Sequence, residues 1–445
     1  MKTPMRTPMR TIDTLISARW ILPIEPAGIV LEHHSIAIDA GRIVALLPTI
    51  DAAIDFAARE QIELNQHVLM PGLVNLHTHA AMTLMRGLAD DLPLMTWLKD
   101  HIWPAEGKHV APSFVKDGTL LACAEMLRGG TTCFNDMYFF PEATAQAVDE
   151  AGLRATIGMI ALEFPTAYAA DADDYLRKGL EVRDAYRDHE RIAFSMAPHA
   201  PYTVSDKTFE KILTLAEQLE APIHIHVHET QDEIDQSLND HQLRPLARLQ
   251  MLGLLSPSVI AAHMVHLTED EIALCAERGV NIAHCPVSNL KLASGIAPIA
   301  QLIARGVNIG LGTDGAASNN RLDLLGEMRI AALLAKGASG DATALPAHQA
   351  LTIATLNGAK ALGLEQEIGS LKPGKAADIV AIDLSALETA PLYDVASHLV
   401  YAAGREQVTD VWVAGKRLLS SRMLTTLDAH EIKAKAAHWQ GILKS

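Results

Sequence analysis

Cysteine is sparse in this chain, and the little there is excludes two kinds of architecture. Cys123, Cys133, Cys275 and Cys285 are the only four in 445 residues. They sit in apolar surroundings and form no CxxC pair, so neither a zinc knuckle nor a disulfide framework is expected. A reducing, cytoplasmic setting fits that usage. Positive charge is also short: 37 basic against 53 acidic residues leave a net charge of −16, which argues against nucleic acid as a partner. No segment approaches the roughly 20 apolar residues of a membrane span, so no membrane partner is expected either. The basic start, Met1-Lys2-Thr3-Pro4-Met5-Arg6-Thr7-Pro8-Met9-Arg10, leads into neither the apolar stretch nor the cleavage site of a secretory signal. It repeats itself, which makes Met5 and Met9 alternative starts.

Core-forming residues are plentiful. With 49% hydrophobic residues, the chain can bury a large core and still supply a second, smaller domain. Residues 11–68 read as short strands with turns, at Thr14–Ala18, Ser35–Ile38 and Arg42–Leu46. A matching pattern returns in residues 371–445, at Asp378–Asp383 and Val411–Lys416, so the two ends can combine into one β domain. Between them, in residues 69–370, short apolar runs alternate with amphipathic stretches such as Asp206–Glu220 and Thr268–Arg278. Strand candidates begin at Leu73, Thr131, Ala155, Ile192, Pro222, Val259, Val280 and Val307. Eight such units predict an α/β fold with a (β/α)8 barrel, whose functional side chains belong where strands end. Those ends carry His77 and His79, Asn135 and Asp136, His199, His226 to Glu229, His263, His284 and Asp314.

His77 and His79 close the run Val68-Leu69-Met70-Pro71-Gly72-Leu73-Val74. Two residues apart on an extended segment, they point to the same side and can share one metal ion. In Ile223-His224-Ile225-His226-Val227-His228-Glu229 three more histidines share a strand face, and burying them beside a carboxylate is costly unless something binds them. Periodicity alone does not choose among His224, His226 and His228. His263 and Asp314 end two further apolar runs; Asp314 also suits an Asx-turn or a helix N-cap. Histidines with one aspartate suit Zn²⁺, with Fe²⁺ or Mn²⁺ as alternatives.

The chain resembles the amidohydrolase superfamily and, within it, the 5′-methylthioadenosine/S-adenosylhomocysteine deaminase group. The likeness rests on Pro71-Gly72-Leu73-Val74-Asn75-Leu76-His77-Thr78-His79, Trp97 to Glu106, Ala197-Pro198-His199-Ala200-Pro201-Tyr202, His226-Val227-His228-Glu229-Thr230, His284-Cys285-Pro286-Val287-Ser288-Asn289-Leu290-Lys291-Leu292, Gly312-Thr313-Asp314-Gly315-Ala316-Ala317-Ser318-Asn319-Asn320 and Gly374-Lys375-Ala376-Ala377-Asp378. It implies a (β/α)8 barrel with a β-sandwich built from both termini and one metal ion, usually zinc. The implied ligands are His77, His79, His226 and Asp314; His226 is selected because it lies three residues before Glu229, which matches the catalytic glutamate. His263 matches the histidine that hydrogen-bonds the attacking hydroxide. Glu106 matches a carboxylate for the ribose hydroxyls, and His199 a histidine near the substrate.

The implied reaction is hydrolytic deamination of an adenine nucleoside. Asp314 would take the proton of the attacking water, and Glu229, with a raised pKa, would protonate N1 of the ring. Relatives that accept S-adenosylhomocysteine can carry two arginines beyond the start of the third strand. Here Arg154 stands there, though it also suits a helix–strand anchor, and Met159 and Ile160 occupy the place of the second. The apolar run from Met159 suits a methylthio group, so 5′-methylthioadenosine is favoured over S-adenosylhomocysteine and adenosine. The alternatives are a deaminase or chlorohydrolase of a free guanine, cytosine or triazine ring, and a non-catalytic barrel scaffold. Glu106 argues against a free base, though it also suits a solvated helix end, and the complete ligand set argues against a scaffold. A homo-oligomer is the default assembly.

Overall fold

The computed structural model describes residues 9–444; Met5 and most of the basic repeat lie outside the described residues. The chain opens with β1 (Arg10–Ile21), β2 (Leu31–Asp39), β3 (Arg42–Pro48) and β4 (Phe56–Pro71). Eight strands alternating with helices follow: β5 (Leu73–Thr78), β6 (Thr131–Tyr138), β7 (Arg154–Ala161), β8 (Ile192–Pro198), β9 (Ile223–Val227), β10 (Val259–His263), β11 (Asn281–His284) and β12 (Ile309–Leu311). The chain then returns as β13 (Ile379–Asp383), β14 (Val408–Val413), β15 (Lys416–Ser420) and β16 (Met423–Leu424).

Strands β5 to β12 pair in sequence order, all parallel, and form the (β/α)8 barrel. Each begins within two residues of its predicted start. Hydrophobic side chains and caps together set the helices: Ser205 caps Asp206–Leu219, and Thr268 with Glu271 forms a capping box for Glu269–Arg278. The seam between β5 and β12 is sewn largely by side chains. Asn75 exchanges two hydrogen bonds with Thr313, Nδ2 to Oγ1 at 2.8 Å and backbone N to Oδ1 at 3.0 Å. The Asp314 amide donates to the His77 carbonyl at 3.0 Å. Gly312 is required there, because a Cβ would sit 2.8 Å from His77 Cβ and 2.9 Å from Cys285 Sγ.

The other strands form one sheet in the order β16-β15-β14-β13-β4-β1-β2-β3. It curls around Ile16, Ile36, Ile38, Leu69, Ile379 and Trp412, so segments from both termini face each other. Ala40 and Gly41 turn from β2 to β3 with φ of 49° and 75°, the two-residue turn whose twist suits paired strands. The sequence reading lacks the first half of β4. That stretch, Ala57-Ala58-Arg59-Glu60-Gln61-Ile62-Glu63, has few β-forming residues and becomes a strand through pairing with β1. The terminal helix Ala429–Leu443 lies on the barrel: Trp439 Nε1 donates to Asp117 at 3.0 Å and its ring meets Phe114 edge-on. No helix among the described residues is long and apolar enough to cross a membrane.

Candidate active site

The C-terminal ends of the barrel strands bring His77, His79, His226, Glu229, His263 and Asp314 to one place. All are buried except the partly exposed His79. The chain turns sharply where it leaves β9, β10 and β12: His228, His263 and Asp314 take φ of 56°, 73° and 59°. Non-glycine residues are rare in that region, and such strain persists where surrounding structure holds it in place.

Hydrogen bonds fix which imidazole nitrogens are free. His79 Nδ1 lies 2.6 Å from the Met137 carbonyl, and His226 Nδ1 lies 2.7 Å from the His199 carbonyl. A carbonyl only accepts, so both Nδ1 atoms carry the proton and donate. Two Nε2 lone pairs then face each other 3.3 Å apart. Asp314 Oδ1 lies 3.3 Å from His79 Nε2 and 3.4 Å from His77 Nε2. Among the described residues, His77 Nε2 is buried without a hydrogen-bond partner, while its Nδ1 meets His224 Nε2 at 2.8 Å. Converging lone pairs and a carboxylate repel unless a cation lies between them. Ligands bound tetrahedrally at zinc–nitrogen distances of about 2.0–2.1 Å sit about 3.3–3.4 Å apart, so the spacing fits zinc.

The protonation preferences show the same field. Burial opposes charge on His79, yet the contact with Asp314 and the Met137 carbonyl raise its pKa to about 9, so its Nε2 lone pair takes up a proton unless a metal ion binds it instead. Asp314, despite burial, is held well below the usual carboxylate range by His77 and His79. Its Oδ2 accepts from the hydroxyls of Ser288 and Ser318 at 2.6 and 2.8 Å. Burial pushes Glu229 above the ordinary range, opposed by His263, whose Nε2 lies 3.8 Å from its carboxylate. His263 Nδ1 pairs with Asn289 Oδ1 at 2.8 Å. The Glu233 carboxylate accepts from the backbone amides of His228 and Glu229 at 3.0 and 2.8 Å, fixing the turn that presents Glu229.

A cavity of about 310 Å³ opens over this cluster, reaching His79, His226, Glu229, His263 and Asp314 at its floor. Glu106 and His199 line it too. Glu106 accepts from the Tyr138 hydroxyl at 2.7 Å, and burial raises its pKa to about 7. Burial lowers His199 to about 3, so its ring is neutral. The walls are largely apolar, with Trp97, Trp103, Ile160, Leu162 and Phe164 among them, and no Lys or Arg among the described residues lines the cavity.

Two expected substrate residues are corrected. Arg154 is the first residue of β7, at the opposite end of the barrel, where its Nε lies 3.2 Å from Asp378 Oδ2. It ties barrel to end sheet and does not reach the cavity. Met159 packs beneath the helix Ala172–Ala185, so close that a Cβ on Gly179 would sit 2.8 Å from its own. Strand alternation turns it outward, and Ile160 and Leu162 line the cavity instead.

The structure also separates the three histidines of β9 and its exit. His226 reaches the cavity and His224 stands behind His77. His228 turns away at its left-handed backbone to meet the His266 carbonyl and the Leu246 amide, each at 3.0 Å. Ser288, Ser318, Asn289, Glu233 and Tyr138 are absent from the sequence-based site. For Glu233 the signal was its position three residues after Thr230, the capping-box spacing; the others touch the site only through the fold.

With this geometry in view, similarity to known proteins becomes informative. The profile of the amidohydrolase family matches residues 68–418. The chain belongs to the amidohydrolase family. It is 51% identical, over 97% of each chain, to a 5-methylthioadenosine/S-adenosylhomocysteine deaminase of Teredinibacter turnerae. A solved adenosine deaminase of Xanthomonas campestris with bound zinc superposes with a TM-score of 0.97 at 52% identity, over 98% of this chain and 100% of that one. A zinc complex of an atrazine chlorohydrolase from Arthrobacter aurescens superposes at 0.89 with 25% identity, over 96% of this chain and 100% of that one.

Proposed function

We propose that this protein is a zinc-dependent aminohydrolase that converts 5′-methylthioadenosine to 5′-methylthioinosine and ammonia. The observation that carries this reading is a single cavity joining a zinc-shaped ligand cluster to Glu106 and an apolar wall without a cation. The deaminase names of relatives at about half identity support it.

In this reading His77, His79, His226 and Asp314 would hold the ion, which would supply a Lewis acid that makes water easier to deprotonate. Asp314 takes a proton from the attacking water. Its Oδ2 is held by Ser288 and Ser318, which leaves Oδ1 facing the site. His263 donates through Nδ1 to Asn289 Oδ1, which leaves its Nε2 to accept from the attacking water and orient it. Glu229, whose pKa burial raises, donates to N1 as water adds at C6. The proton held by Asp314 then passes to the amino group, the C6–N bond breaks, and ammonia leaves as the C6 hydroxyl returns its proton to Glu229 and becomes the carbonyl.

Glu106 supports a nucleoside over a free base, because its carboxylate can accept from a ribose diol. S-adenosylhomocysteine presents a carboxylate, for which the cavity offers no Lys or Arg among the described residues. Four buried, unpaired thiols support a reducing compartment. An ammonia-release screen of the zinc-loaded protein tests the reading. The expected order of kcat/KM is 5′-methylthioadenosine above S-adenosylhomocysteine and adenosine, with free guanine, cytosine and triazines far below. Stronger turnover of a free base would reject the nucleoside assignment.

A further inference from the structure

Glu327 lies in the helix Leu324–Ser339, is 2% exposed, and forms no ion pair among the described residues. A buried carboxyl without a cation is costly to ionise, and burial raises its pKa to about 8 against the pull of the Asn319 and Val287 hydrogen bonds; an apolar side chain of similar size would pack there more cheaply. Its two oxygens instead bridge two βα loops that each carry a short helix, Pro286–Lys291 after β11 and Ala316–Asn319 after β12. Oε2 accepts from the Val287 amide at 3.1 Å, and Oε1 accepts from Asn319 Nδ2 at 2.6 Å. The orientation of the Asn319 amide is fixed, because the same Nδ2 donates to the Thr313 carbonyl at 2.6 Å.

Both anchored residues adjoin site contacts. Val287 precedes Ser288, which donates to Asp314 Oδ2, and Asn289, which holds His263 Nδ1 at 2.8 Å. Asn319 follows Ser318, the other donor to Asp314 Oδ2. A shift of either loop would therefore move Asp314, and a shift of the loop after β11 would move His263 as well. A neutral amide at 327 would present a donor to one of two donors, breaking the bridge with almost no change in volume.

We infer that Glu327 is a positioning residue: its carboxylate clamps the loops after β11 and β12 and so fixes Asp314 and His263 for zinc binding and turnover. This rests on the proposed metal-dependent deamination, although its test does not depend on which nucleoside is the substrate.

The test measures zinc affinity by chelator competition on apo-protein reloaded with zinc, beside kcat and KM. Glu327→Gln is expected to weaken zinc binding and lower kcat by about tenfold to a hundredfold, the usual range for groups that orient metal ligands. KM should change by less than about twofold, since the residue does not line the cavity. Combined with Ser288→Ala, the loss of zinc affinity should fall well short of the product of the single losses, because both act through one contact. If Glu327→Gln does not fold, Asn319→Ala opens the same clamp from the other side and should weaken zinc binding likewise. Wild-type zinc affinity and kcat in the variant that folds, or multiplicative losses in the double variant, would overturn the role of Glu327. Tight zinc binding by the wild type without nucleoside turnover would instead defeat the proposed function and leave the clamp standing.

Discussion

The two ends of the barrel bury ionisable groups in opposite ways. At the N-terminal end Arg154 and Asp378, whose side chains are 7% and 1% exposed, pair with each other, and their remaining hydrogen-bonding capacity goes to the Glu190 carbonyl and the Ala414 amide. The charges cancel, and the unit joins the barrel to the end sheet. At the C-terminal end His77 Nε2 has no hydrogen-bond partner among the described residues, the Nε2 atoms of His79 and His226 face each other at 3.3 Å, and Glu229 and Glu106 are held toward their neutral forms by burial. Buried charge that is paired reads as architecture; buried charge left unbalanced reads as a binding site.

The sharpest way to break this contrast is at the mouth. Glu229→Gln should retain zinc, measured by metal analysis, and lose turnover by about 10²–10⁴-fold, the range for removal of a general acid. An unchanged rate would remove Glu229 from the proton path. At the other end, Arg154→Ala strands a buried Asp378 and should cost about 3–5 kcal/mol in denaturant unfolding, with KM for 5′-methylthioadenosine unchanged. A raised KM for S-adenosylhomocysteine at full stability would return Arg154 to substrate binding.

A smaller effect separates the two ends by pH. Because burial raises Glu106 to about 7, the carboxylate that accepts from ribose hydroxyls forms as pH rises through that value. KM for the nucleoside should fall by up to about tenfold between pH 6 and pH 8, and Glu106→Gln should abolish the dependence. A flat wild-type profile would count against the diol contact. Least of all should Met159→Leu matter: a volume-conserving change beneath the helix layer costs under about 1.5 kcal/mol and leaves kcat/KM for both thio-nucleosides in place.

Much of the mouth was legible in the sequence because strand ends are marked twice, by the close of an apolar run and by a polar residue that a dry core would not tolerate. That rule located His77, His79, His263 and Asp314 as candidates. It failed at β7, where Arg154 begins the strand and Met159 faces the helices; a one-dimensional run does not say which face of a barrel strand is the inner one. It also left His224, His226 and His228 equivalent, since the left-handed backbone at His228 is a property of the turn and not of the period.

By itself, then, the sequence determined the eightfold βα alternation, the joining of both termini in one sheet, and the residue types available for metal and proton chemistry. These follow from local periodicity and from the cost of burying polar groups. Only the tertiary structure decided which lone pairs converge, which serines grip Asp314, and how Glu327 spans two loops. Those outcomes depend on distances between strands far apart in the chain, which the barrel brings together across the β5–β12 seam.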